Sequence, residues 1–195
     1  MAGEANKIKY GLKNVYVAKC TENIDSVSGA ITYTYGTPKA ILGAVNLSMS
    51  PEGSSDPFHA DNMVFFRTNA NNGYSGDLEI ALIPDWFREE ILGEKKDSKG
   101  ILWEKSDDTE TGKFAMMFQF EGDKKATRHV FLYCTAQRPD INGATQEDTV
   151  EPQTETMSLN ADPRADGWIK GKTTPDTDET AYNSWFTKVQ EPNIA

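Results

Sequence analysis

Apolar and polar residues alternate along most of this chain with a period of two, the pattern of a strand with one buried face. Ile8, Tyr10 and Leu12 alternate with polar neighbours, and Val15 and Val17 follow. Ile31, Tyr33 and Tyr35 alternate with Thr32 and Thr34, and Val45, Leu47 and Met49 with Asn46, Ser48 and Ser50. Further sets are Leu78, Ile80 and Leu82; Phe114, Met116, Phe118 and Phe120; Val130, Leu132, Cys134 and Ala136; and Met157, Leu159 and Ala161. Each set predicts one apolar face, as in antiparallel sheets packed on a single core. Ser28-Gly29 reads as a turn, and Glu121-Gly122-Asp123-Lys124-Lys125 as the turn of a hairpin between two strands.

One segment departs from this period. Pro84 to Gly93 predicts a short helix near 84-92, with Pro84 in the first turn and Gly93 as its stop. Trp86, Phe87 and Ile91 are the expected helix-packing residues. A short strand is expected near Ile101, Leu102 and Trp103. Three stretches read as loops or arms: Ser50 to Asn72, Arg138 to Pro152 and Asp162 to Thr180. Loops of that length in a compact chain are expected to be functional, or ordered by a partner. The expected fold class is mainly β: two packed antiparallel sheets, a β-sandwich or barrel, with one short flanking helix. A single domain, 1-195, is expected, with an N-terminal arm at 1-7, a long loop at 50-72 and a C-terminal segment at 162-195.

Composition then narrows the function. The chain has 195 residues, and its 20 Lys and Arg against 30 Asp and Glu give a net charge of −10. That balance argues against a nucleic-acid groove, which needs clustered cations. Met1 to Lys7 holds no apolar stretch, so no signal peptide is expected, and no run approaches the ~20 apolar residues of a membrane span. Cys20 and Cys134 stand far apart in apolar context and read as reduced, buried thiols, with a disulfide between them as the alternative that geometry decides.

Candidate chemistry is sparse. Gly167 to Thr173 looks like a phosphate-binding loop but has three residues between its glycines where four are needed, so a strand with a basic patch is expected. Asp176, Asp178 and Glu179 lack the glycine and spaced glutamate of a calcium loop, and Glu52, Asp56 and Asp61 are scattered. His59 and His129 are too isolated to be ligands. Asp107-Asp108 reads as a polar turn, and Asn46-Leu47-Ser48 as a chance glycosylation pattern. No catalytic, cofactor or metal residue is expected.

Several phrases, taken in order, resemble the major tail (tail tube) proteins of long-tailed, non-contractile bacteriophages. They are Tyr10-Gly11-Leu12-Lys13-Asn14-Val15, Tyr35-Gly36-Thr37-Pro38 and Ser50-Pro51-Glu52-Gly53. Asn72-Gly73-Tyr74-Ser75-Gly76-Asp77-Leu78-Glu79 follows, running into Pro84-Asp85-Trp86-Phe87 and Ile91-Leu92-Gly93. Gly122 to Arg128 and Thr154-Glu155-Thr156 complete the set, which spans nearly the whole chain.

The resemblance implies a structural virion protein made in the host cytoplasm. Such subunits close into rings of six that stack into a hollow tube through which DNA passes without sequence-specific binding. Implied partners are further copies of the chain and the tape-measure, tail-terminator and distal-tail proteins. Acidic side chains would face the lumen. The alternative is a β-sandwich binding module for carbohydrate or a receptor; the tube of a contractile injection system is a third reading. For subunit contacts, the aromatic load of the 54–67 stretch singles out Ser54, Asp56, Phe58, Asp61, Phe65 and Arg67. One of Phe65 and Phe66 is expected in the core.

Overall fold

A computed structural model describes residues 4–106, 111–145 and 152–194. The strands are β1 (Lys9–Ile24), β2 (Ile31–Tyr35), β3 (Lys39–Ile41), β4 (Ala44–Glu52), β5 (Ser55–Ala60), β6 (Met63–Asn69) and β7 (Gly73–Ile80). Helix α1 (Asp85–Glu90) follows, then β8 (Lys95–Lys96), β9 (Leu102–Trp103), β10 (Lys113–Gly122) and β11 (Thr127–Ala136). The chain continues through β12 (Glu155–Ala161) and β13 (Lys170–Lys172) to α2 (Glu179–Asn183). The Asp107-Asp108 pair lies outside the described residues.

Hydrogen bonding joins nine strands into one antiparallel sheet, in the order β2-β1-β10-β11-β12-β7-β4. β13 adds to β11, and β3 to β1. The mainly β, antiparallel expectation holds. These nine strands form one hydrogen-bonded sheet, since β11 and β12 pair directly at Cys134↔Ala161, and β5–β6 and β8–β9 form two further two-stranded sheets. The sheet does not close into a barrel. The segment Lys39–Glu52 nevertheless bridges distant strands of the sheet: β3 pairs with β1, and β4 pairs with β7. The bend between them is Gly43, at φ +81°, whose missing Cβ would come within 2.8 Å of Ala81.

The main apolar cluster gathers Val15 and Val17 of β1, Leu78 and Ile80 of β7, Phe114, Met116 and Phe118 of β10, and Met157 and Leu159 of β12. Helix α1 plugs this cluster. Phe87 and Ile91 are fully buried, and Phe87 meets Phe114 edge-on at 5.6 Å. Trp86 is half-buried and packs at the rim. The helix therefore forms where Pro84 and Asp85 favour a start, and Gly93 at φ +81° takes the chain out of it.

A second cluster fills the opposite face of the same strands, with Ala18, Ala115, Met117, Val130 and Leu132 covered by Trp185. This corrects two expectations. β10 is buried on both faces, since the C-terminal segment covers the side that alternation assigned to solvent. Val130, Leu132, Cys134 and Ala136 do not share a face: Val130 and Leu132 belong to the second cluster, Cys134 and Ala136 to the main one. The reason is a β-bulge. Phe114 pairs with Cys134 but Met116 with Phe131, so one extra residue in β11 flips the alternation.

The described parts of the terminal stretches lie against the body. Residues 4–7 are hydrogen-bonded to the β10–β11 turn. Residues 162–180 are a packed connection holding buried Arg164, Ile169 and Thr173, with β13 within it. A second short helix, α2, was not foreseen. Asp178 caps it by accepting from the Ala181 amide at 3.0 Å, and Tyr182 donates to Ala126 O at 2.9 Å.

Candidate assembly surface

The Ser50 to Asn72 stretch is not a loop. β4 and β7 pair from Ala44↔Ile80 to Glu52↔Gly73, and the ribbon continues outward. The Asn72 amide donates to Glu52 O and the Ala70 amide to Ser54 O, both at 2.8 Å. β5 and β6 then pair from Ser55↔Asn69 to Ala60↔Met63. Asp61 and Asn62 close the hairpin at φ +52° and +58°, the left-handed pair of a type I′ turn, which Asp and Asn tolerate best after glycine. Gly53 is required at the neck: a Cβ there would lie 2.0 Å from the Ala70 carbonyl oxygen.

The hairpin stands off the body. None of its strand residues is buried, and Ala60 alone is half-covered. Exposure reaches 62% at Phe58, 63% at Met63, 70% at Phe65 and 61% at Phe66. The expectation that Phe65 or Phe66 enters the core is therefore wrong. Register explains it. Phe58 faces Phe66 and His59 faces Val64, so Phe65 is an unpaired bulge residue on a ribbon that has no sheet beneath it.

All six sequence-selected residues lie on this one element or at its base. Ser54 donates to Asp56 Oδ2 at 3.2 Å, and Arg67 donates to Ser55 Oγ at 3.2 Å. Asp61 sits at the tip. Trp86, Phe87 and Ile91 are elsewhere, in or beside the main cluster. Sequence reasoning missed a second apolar projection, the β1–β2 hairpin, which exposes Ile24, Val27 and Ile31. Its signal was present in the alternation of Ile31, Tyr33 and Tyr35, but alternation alone does not say which strands outrun the sheet.

The remaining reactive groups are enclosed. Cys20 and Cys134 are free and buried. Burial pushes the Cys20 thiol up to about 11, against a lowering hydrogen bond with Tyr35, and pushes Cys134 up further. His129 stacks on Phe118 at 5.2 Å, with its ring plane within 4°. Burial first, then Lys172, Lys9 and Lys170, holds its pKa down at about 4. Among the described residues, no three His, Cys, Asp or Glu side chains are grouped to hold a metal ion. No helix there is long and apolar enough to cross a membrane.

Comparison with known proteins adds no relative: no family model matches the chain, and no curated protein matches it.

Proposed function

We propose that the chain is a structural subunit that polymerises with copies of itself, as tail-tube proteins of long-tailed bacteriophages do, and is not an enzyme. The observation that carries this reading is the β5–β6 hairpin. It exposes Phe58, Met63, Val64, Phe65 and Phe66 by between 47% and 70%, and burying what remains exposed would gain each a part of the about 1.5–3 kcal/mol that full burial of such a side chain yields. A second copy is the occupant this element suits, because the ribbon also offers free strand edges that template pairing with another chain. β2 at one end of the sheet pairs with β1 alone and offers another edge. A contact between two different surfaces of identical subunits propagates, closing into rings or running on as filaments.

In this reading the two halves of the curved sheet stand for the two packed sheets of the tail-tube fold. Neighbouring sheets join across their edges around a ring of six. Rings stack around a tape-measure protein, with terminator and distal-tail proteins at the two ends. The ordered sequence phrases support the same assignment.

Negative-stain electron microscopy over a concentration series, paired with the mass in solution, tests it. Rings or tubes are expected for the wild type. Phe58→Asp and Arg67→Glu are expected to stay folded and assemble poorly. If both variants polymerise like the wild type, the hairpin is not the contact. A wild type that stays monomeric even with tail-tip components present would favour a β-sandwich binding module.

A further inference from the structure

A cleft of about 460 Å³ opens between the β10–β11 turn, the stretch after β13 and helix α2. Lys124, Lys125 and Lys172 line it, and among the described residues the only acid in its lining is Glu4. The Glu4 carboxylate pairs with Lys124 Nζ at 2.7 Å. Lys125 stands over the Tyr182 ring at 3.8 Å, while Lys172 reaches no carboxylate within ion-pair distance among the described residues. Three lysines thus line one cavity on a chain of net charge −10, with Asp123, Asp176, Asp178 and Glu179 on the same elements but outside the lining.

The segment that carries Glu4 is held as a strap. Asn6 Oδ1 accepts from the Lys124 and Lys125 amides at 3.0 Å each, and Asn6 Nδ2 donates to Thr127 Oγ1 at 3.2 Å. Gly122 leaves room for it, since a Cβ there would lie 2.2 Å from the Asn6 side chain. Asn6 thus fixes the strap, but Glu4 is bound weakly. Its side chain is 77% exposed and that of Lys124 is 46% exposed. Exposed pairs of this kind contribute little and give way readily.

We propose that this lysine cleft is a receiving site for a carboxylate-bearing segment of a second copy of the chain, with Glu4 as a displaceable resident. Three observations carry it: three ammonium groups around one cavity, a carboxylate already docked there, and thirty acidic side chains per copy to supply the replacement. Lysines suit this role because they act as mobile point charges that accept carboxylates from varied directions. The chemistry of the cleft stands by itself. The source of the ligand rests on the self-assembly reading.

Titration of the full chain with hexaglutamate at low salt, followed by amide NMR shifts, tests the chemistry. Shifts are expected at residues 124–127 and 172–174. Glu4→Ala is expected to tighten binding about two- to fivefold, the range of an exposed ion pair, and Lys172→Ala to weaken it. Shifts elsewhere, or a Glu4→Ala variant that binds no better, would overturn the proposal. So would inorganic phosphate binding as tightly as the peptide, which would make the cleft a simple anion hole. Sedimentation velocity of Lys172→Glu tests the source, with weaker self-association expected. Unchanged association would remove the second copy as the source and leave self-assembly standing. A wild type that does not associate at all would instead count against the assembly reading, while the peptide titration still judges the cleft.

Discussion

At the scale of single residues, His129 has the most legible consequence. Its ring lies flat on Phe118, and burial first, then the charges of Lys172, Lys9 and Lys170, keep it neutral in the native state to about pH 4. The unfolded chain takes up that proton near pH 6.5. With the native pKa depressed, the unfolded state binds more protons as pH falls, and stability declines between about 6.5 and about 4. Below that window both states are protonated and the loss stops growing. Urea denaturation at pH 7 and pH 4.5 is expected to show a smaller pH-dependent drop for His129→Phe than for the wild type. Equal drops would mean that the imidazole is protonated in the native state. Sequence gave His129 a place at the start of a strand but could not supply Lys170 and Lys172, which β13 brings across from beyond residue 160.

At the scale of elements, what was readable was whatever is local. Met157, Leu159 and Ala161 alternate and are all buried, and Pro84 to Gly93 delimits α1. The hairpin was less legible. Asp61-Asn62 is a turn signal, but Pro57 and the polar residues around it obscure the two short strands, and exposure of Phe65 depends on there being nothing beneath it. Helix α2 is harder still: five residues with Thr and Asn carry little intrinsic helicity. Its existence depends on the Asp178 cap and on the anchors Tyr182 and Trp185, the latter donating to His129 O at 3.2 Å. Asp178→Ala is expected to lower stability by ~1 kcal/mol, together with a red shift of tryptophan emission as Trp185 loosens. A variant with unchanged emission and an unchanged urea midpoint would show that the anchors suffice without the cap.

At the scale of the whole molecule, charge and apolar contact oppose each other. Copies carrying −10 each repel over roughly 30 Å at 0.01 M salt and over about 8 Å at 0.15 M. Association through an apolar hairpin is therefore expected to strengthen as salt rises across that range, read by sedimentation velocity. The lysine cleft acts the other way, because its attraction is screened too. Lys172→Ala, which removes part of that attraction, is expected to gain more from added salt than the wild type. Association that weakens steadily with salt in both proteins would make charge, and not the hairpin, the principal contact. The cleft was invisible in the sequence because Glu4, Lys124 and Lys172 meet only after β1 has paired with β10 and β13 with β11.

The corner at Gly43 bears on how such a molecule carries load. Lys39–Glu52 is hydrogen-bonded to β1 on one side of the bend and to β7 on the other. The covalent bend thus links β1, near one end of the sheet, to β7, near the other. Tension applied at one end is shared through the covalent bend with the other. Such a link would couple the two sides of the body, a property that would serve the proposed self-assembling subunit if neighbours pull on its projecting hairpins.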